Sequence, residues 1–273
     1  MPLHQDNIKR LYLFSGKGGV GKTTTSIAFA NYLKLKKDQN VLYLTFDNTS
    51  AISQLMNDLN INYQELDFFD NVTKYIESKF NSLVAKTITH NSFFKATTNM
   101  VPGVQYIIHL GHIINELEKN PNIIAVFDAP SSGHLLVMLE SLNTFGNIFK
   151  SGIIFNDILK VQNYLGDKSF SKINLCTLPS YMSVNEALDT KNKVTVLNSK
   201  SINTNIFINS SYLLMKEVKD IIQLPLFLAD KIRIETEILN ENKNHITTSF
   251  PFITETNYSD IINELTPLMG SLE

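Results

Sequence analysis

The sequence predicts an α/β protein, a mainly parallel β-sheet with helices on both faces and a helical insertion beside it. Three observations carry this reading. Short apolar runs alternate along the chain with stretches of helical spacing. The runs are rich in Val, Ile, Leu and Phe without strict alternation, which is the pattern of strands buried on both faces. A glycine-rich loop separates the first apolar run from the first helical stretch.

Taken in order, residues 10–15 read as the first buried strand, built on Leu11-Tyr12-Leu13-Phe14. The first helix covers Thr25 to Leu33, where Ile27, Ala30 and Leu33 recur at helical spacing. Further strands are expected at 41–47, 123–128, 173–178, 204–209 and 246–250. Two long stretches, 51–121 and 139–171, do not read as strand-helix units. The first carries Val104, Ile107, Ile108, Gly111, Ile114 and Leu117 at helical spacing, and both are expected to form a helical subdomain or rim. Near the end, Ile261, Ile262, Leu265 and Leu268 follow Asn257-Tyr258-Ser259-Asp260, with Ser259 as the expected N-cap of a closing core helix. No internal repeat or low-complexity linker interrupts the chain, so residues 1–273 read as one domain with helical insertions at about 51–121 and 139–171.

Composition removes several function classes. The chain of 273 residues has a formal net charge of -2, so no basic field points to nucleic acid or an anionic membrane. Its single cysteine, Cys176, excludes a disulfide framework. The N-terminus is polar, and no run approaches the ~18 apolar residues of a membrane span, so a soluble, cytoplasmic protein without an integral membrane segment is expected.

The most informative stretch is Gly16-Lys17-Gly18-Gly19-Val20-Gly21-Lys22-Thr23-Thr24, a phosphate-binding loop in the strand, loop, helix context that such a loop requires. Its glycines let backbone N–H groups point into one concavity, and the helix N-terminus adds the positive end of its dipole. Lys22 places a charge on the outer phosphates and the Thr23 hydroxyl can ligate Mg²⁺. The expected ligand is a nucleoside triphosphate, and the fold class becomes that of a P-loop NTPase. Lys17 stands where its own phosphate site is already served by Lys22. It is therefore expected to reach across a dimer interface.

This KGGVGKT loop resembles that of the deviant Walker A ATPases, which include septum-positioning, partition, nitrogenase-iron-protein and arsenical-pump branches. Val126-Phe127-Asp128-Ala129-Pro130-Ser131-Ser132-Gly133-His134 resembles the DTAPTGH signature of the arsenical-pump ATPases and of the ATPases that target tail-anchored membrane proteins. Leu175-Cys176-Thr177-Leu178-Pro179 with Glu186 and Ala187, Ile206-Phe207-Ile208-Asn209, and Val101-Pro102-Gly103-Val104 resemble later segments of that family, in the same order. The resemblance implies a Mg²⁺-dependent, ATP-hydrolysing dimer, homodimeric or paired with a paralogue, in which Lys17 contacts the nucleotide of the other subunit. It also implies that Asn209 reads the adenine edge and that Glu186 contacts the nucleotide. There are departures. The family's first switch, Asp-Pro-Ala-His, is here Asp47-Asn48-Thr49-Ser50. The interfacial Cys-x-x-Cys pair is missing, three thiols for arsenite are impossible, and no methionine-rich client segment is visible.

The chemistry that follows is phosphoryl transfer to water, in which catalysis means holding phosphates, neutralising charge and positioning a water. Lys22, Lys17 and the loop residues Gly16, Gly18, Gly19, Val20, Gly21, Thr23 and Thr24 bind ATP. Asp128 ends an apolar strand as a Walker B acid does and, with Thr23, is the candidate metal site. Asp47 ends the second strand and is the candidate to orient or deprotonate the attacking water, with a loop or N-cap carboxylate as the alternative. His134 lies where loss of the γ-phosphate can be sensed. His109 and His112 read as a solvated or packed pair rather than a metal site, and Phe93-Phe94 as core packing. Ile107, Ile108, Ile114 and Leu117 are expected to form part of a groove for an apolar helix of a protein partner, or else to be buried. The function expected is a dimeric ATPase switch coupling hydrolysis to binding or release of a protein. The alternatives are a septum-positioning or partition-type ATPase and a nucleotide-gated adaptor with negligible turnover.

Overall fold

A computed structural model describes residues 8–47, 49–79, 103–197, 202–215 and 225–273. Asn48, Phe93, Phe94, Val101 and Pro102 lie outside the described residues. In chain order the elements are β1 (Leu11–Gly16), α1 (Lys22–Lys37), β2 (Asn40–Thr45), α2 (Ser50–Asp58), β3 (Asn62–Glu65) and α3 (Phe68–Lys79). There follow α4 (Val104–Lys119), β4 (Ile123–Asp128), α5 (Ser132–Phe149), α6 (Ile153–Gly166), β5 (Ser171–Thr177) and α7 (Tyr181–Leu197). The last are β6 (Thr204–Ser211), α8 (Leu226–Asn242), β7 (Ile246–Pro251), α9 (Tyr258–Leu265) and a 3₁₀ helix (Thr266–Leu272).

The seven strands form one sheet in the order β3-β2-β4-β1-β5-β6-β7, and every pairing is parallel. Parallel neighbours need crossovers, and the helices supply them on both faces. On one face Leu11, Leu13, Leu44 and Phe127 pack with Ile114 of α4, Leu135 of α5 and Val161 of α6. On the other, Tyr12, Phe14 and Val126 pack with Phe29 of α1, Ile262 of α9 and Met269 of the 3₁₀ helix. All six residues of β1 are buried, so its continuous apolar run is the direct sequence mark of two covered faces. Removing Leu13 to Ala would cost about 2–5 kcal/mol by lost transfer energy and cavity formation.

The first long stretch departs from its helical expectation at Asn62–Glu65, which pairs with β2 as an edge strand. None of its four side chains is buried, so it leaves no apolar signature. Backbone pairing holds it, and the Tyr63 hydroxyl donates to Ser53 of α2 at 2.8 Å. On α4, Ile114 and Leu117 belong to the core. Ile107 and Ile108 are half-buried and line an apolar cavity of about 160 Å³ with Val104, Phe145 and Ile158. His109 and His112 are packed, pairing with Asn71 at 3.0 Å and Gln64 at 2.8 Å. The closing helix is capped by Asn257 and not by Ser259: the Asn257 side chain accepts from Ser259 N. Ile262 and Leu265 are buried as expected, whereas Leu268 falls in the 3₁₀ segment and is exposed. Among the described residues, no helix is long and apolar enough to cross a membrane.

Candidate functional site

The site lies at the carboxyl ends of the central strands, where the chain leaves β1 with β4 on one side and β5 on the other. In α/β sheets such a switch point opens a crevice for ligands. The register places Phe14 beside Asp128, Thr45 beside Asp128, and Gly16 beside Cys176. Four strand ends therefore meet around the loop that joins β1 to α1.

Two glycines in that loop are required by geometry. At Gly16 a Cβ would lie 2.1 Å from the Cys176 carbonyl oxygen, so β5 leaves no room for a side chain. Gly21 has φ +91° and a Cβ there would lie 2.2 Å from Nδ2 of Asn209. That amide donates to the Val20 carbonyl at 3.0 Å, and the Cys176 thiol reaches the same oxygen at 3.3 Å. The loop is thus clamped from β5 and β6. Gly21 caps α1 without a side-chain bond, and the first turn contains no acidic residue. Those backbone N–H groups and the helix dipole face the crevice, which is the arrangement that binds phosphate.

Beside the helix start, the Thr23 hydroxyl donates to Oδ2 of Asp128 at 2.6 Å. Asp128 is buried, and its Oδ1 has no hydrogen-bond partner. Burial raises its pKa to about 6, the Thr23 bond and the Lys22 charge oppose that shift, and the Asp47 charge reinforces it. The Thr23 hydroxyl and the Asp128 carboxylate, with one of its oxygens unsatisfied, are hard donors that fit a small divalent cation such as Mg²⁺. Tyr43, fully buried on β2, bonds Ser26 of α1 at 2.8 Å and ties the second strand to the same helix.

Asp47 is exposed just beyond β2; its Oδ1 accepts from Thr49 N at 3.0 Å, and its own N–H donates to Thr45 Oγ1 at 3.0 Å. Lys17 does not lie over its own loop: its ammonium pairs with Glu186 of α7 at 3.2 Å, with side-chain exposures of 49% and 36%. Ser132 donates to the other Glu186 oxygen at 2.7 Å. The Ser132 bond first, and Lys17 next, hold the Glu186 carboxyl below the usual range. His134 pairs with Ser131 at 3.2 Å at the N-terminus of α5.

On the far side of the loop, Gly19, Gly21, Thr24, Asn209, Pro251 and Phe252 line a cavity of about 190 Å³. Phe252 stacks on Tyr212 with ring centres 5.1 Å apart and planes inclined by 19°. The backbone between them and Asn209 is held by Glu235, which is buried and accepts from Ser211 Oγ and from Tyr212 N at 2.9 Å. Tyr258, whose hydroxyl lies 3.0 Å from Oγ1 of Thr24, with Phe252 and Glu235, belongs to the site's surroundings without any local signal in the sequence. Each arrives from a distant segment through the sheet topology.

The sheet order, the clamped glycine loop, the uncapped helix and the Thr23–Asp128 pair define an α/β protein of the P-loop NTPase class. Residues 9–154 match the family model described as Anion-transporting ATPase, more than half of the chain, and the protein belongs to that family. Among named relatives it is 26% identical over 156 residues to "Putative arsenical pump-driving ATPase 2" of Aquifex aeolicus, covering 52% of each chain. It is 32% identical over 130 residues to the "ATPase ASNA1 homolog" of Plasmodium berghei, covering 45% of this chain and 34% of that one. The matched regions span only about half or a third of those relatives' lengths.

Proposed function

We propose that this protein is a Mg²⁺-dependent ATPase working as a dimeric switch, in which ATP binding and hydrolysis govern binding or release of a protein partner. The observation that supports it most is the buried Asp128 carboxylate, joined to Thr23 at 2.6 Å beside an uncapped helix N-terminus and left with one unsatisfied oxygen. In this reading the amides of the loop and Lys22 bind the β- and γ-phosphates, and Asn209 and Phe252 border the space for the base. Thr23 and Asp128 would hold Mg²⁺, which supplies charge neutralisation on the transferring phosphoryl group. Asp47 accepts the proton of the attacking water as the bond from γ-phosphorus to the bridging oxygen breaks, giving ADP and phosphate. The pairing of Lys17 with Glu186, away from its own loop, favours a trans role on the nucleotide of a second subunit. Half-buried Ile107 and Ile108 beside an apolar cavity favour a partner contact on α4.

The test is phosphate release from ATP by the purified chain with Mg²⁺ and with EDTA. Release that depends on Mg²⁺ and is lost in Lys22→Ala supports the reading, and tight nucleotide binding without release refutes the enzymatic part. One observation favours a second reading, a nucleotide-gated adaptor of negligible turnover: the Asp47 carboxylate is engaged as the acceptor for Thr49 N.

A further inference from the structure

The reaction described so far leaves Tyr258 without a role, yet it is built into the nucleotide site. Tyr258 opens α9, whose start is fixed by the Asn257 cap at 3.0 Å from Ser259 N. Ile262 and Leu265 anchor that helix in the core shared with α1, and Ile261 and Leu265 line the cavity bordered by Gly19, Gly21 and Thr24. The anchored helix brings the Tyr258 hydroxyl to 3.0 Å from Oγ1 of Thr24. Burial raises the pKa of this phenol, and its bond to Thr24 opposes the shift.

The neighbours of Thr24 show what it would do unaided. Thr25 turns its hydroxyl back onto the Gly21 carbonyl at 2.9 Å, and Ser26 turns onto the Thr23 carbonyl at 2.9 Å. Hydroxyls in a helix commonly settle on such carbonyls. Thr24 instead meets Tyr258. Either hydroxyl can be the donor in this pair; with a nucleotide phosphate as the acceptor for Thr24, the phenol donates to Thr24 Oγ1, the threonine proton points away from the helix, and the chained hydrogen bonds polarise it. The free proton then lies in the first turn of α1, where the phosphates bind.

We infer that Tyr258 is a positioning residue for nucleotide binding: it holds the Thr24 hydroxyl toward the inner phosphates and so ties α9 to nucleotide occupancy. This rests on the proposed nucleotide site. Because the contact concerns the inner phosphates and not the γ-phosphoryl group, it belongs to affinity and leaves the chemical step alone.

The experiment is a double-mutant cycle on the full chain with Tyr258→Phe, Thr24→Val and both together, titrating a fluorescent ADP analogue and measuring turnover at saturating ATP. Tyr258→Phe is expected to weaken ADP binding about 2- to 10-fold, the range of one net hydrogen bond, with kcat unchanged. In the Thr24→Val background the same change should have no further effect. Hydrogen exchange in residues 258–265 should slow on ADP binding in wild type and less in Tyr258→Phe. Unaltered affinity, a loss that persists undiminished in the Thr24→Val background, or a fall in kcat with KM unchanged would each overturn the inference. No ADP binding by the wild type would remove the nucleotide site itself, an outcome separate from any variant's behaviour. Thr24→Ser retains the hydroxyl and should restore the sensitivity to Tyr258→Phe, which guards against a folding defect in Thr24→Val.

Discussion

At the scale of single residues, Asp128 is the group whose chemistry is most out of balance. Burial holds its folded pKa at about 6, above the ordinary aspartate range, so the folded chain holds its proton more tightly than the unfolded chain does. The stability contributed by the neutral form is present below about pH 4 and lost as pH rises through about 6. Above that, a buried charge without its counter-cation costs on the order of 3 kcal/mol, from two pH units at 1.36 kcal/mol each. Asp128→Asn is therefore expected to raise the melting temperature of the nucleotide- and metal-free protein at pH 7.5, and to abolish the added stabilisation that Mg²⁺ gives with nucleotide. Thermal denaturation from pH 4.5 to 8 checks both; a variant less stable than wild type at pH 7.5 would mean that the charge is already compensated. A companion pair separates binding from chemistry. Lys22→Ala should lose ATP binding, whereas Asp47→Asn should bind ATP normally and hydrolyse it at least ~10²-fold more slowly. Equal turnover in Asp47→Asn and wild type would remove Asp47 from the mechanism and leave it as the loop cap for Thr49. The meeting of Thr23 with Asp128 was legible because each sits at a fixed place in a local motif. Tyr258 was not, since its pairing with Thr24 spans 234 positions and depends on where α9 docks.

At the scale of elements, the phosphate loop owes its shape to strands that follow it by more than a hundred residues. Gly21 and Asn209 show the interdependence. The αL backbone of Gly21 sets the helix start, and its missing side chain is the space into which the Asn209 amide reaches Val20. Gly21→Ala should therefore lose nucleotide affinity by at least ~10-fold and lower stability by about 1–3 kcal/mol through αL strain and the displaced amide. Gly18 offers the internal comparison, since a Cβ there meets nothing within 4 Å. Gly18→Ala should leave the melting temperature of the nucleotide-free protein close to wild type, and equal melting temperatures for the two variants would refute the clamp. Six of the seven strands were legible: the inner five are apolar and largely buried, and the edge strand β7 still carries Ile246 and a buried Phe250, whereas none of the four side chains of the other edge strand, β3, is buried. The exchange of Ser259 for Asn257 as cap has a similar origin. Two capping residue types lie two positions apart, and the backbone alone selects between them.

At the scale of the whole molecule, the question is what a lysine half exposed and paired with Glu186 does in the proposed dimer. The Lys17–Glu186–Ser132 chain of contacts joins the phosphate loop to α7 and to the start of α5. A solvent-exposed ion pair of this kind contributes at most about 1 kcal/mol, so a nucleotide phosphate offered by another subunit can replace it at little cost. The trans reading predicts that Lys17→Ala binds ATP with near-normal affinity and fails to hydrolyse it, and that Lys22→Ala fails at binding. Mixing the two inactive proteins forms heterodimers in which the Lys22→Ala subunit brings its intact Lys17 to the nucleotide held by the Lys17→Ala subunit. Turnover should then return, up to about a quarter of wild type for random pairing with one working site of two in half the dimers, if a single occupied site can fire. A cis role predicts no recovery at any mixing ratio. Sedimentation of the wild type with a non-hydrolysable ATP analogue decides the premise independently: a strict monomer at concentrations that saturate the site would leave Lys17 bound to Glu186 and assign it to the loop's own structure.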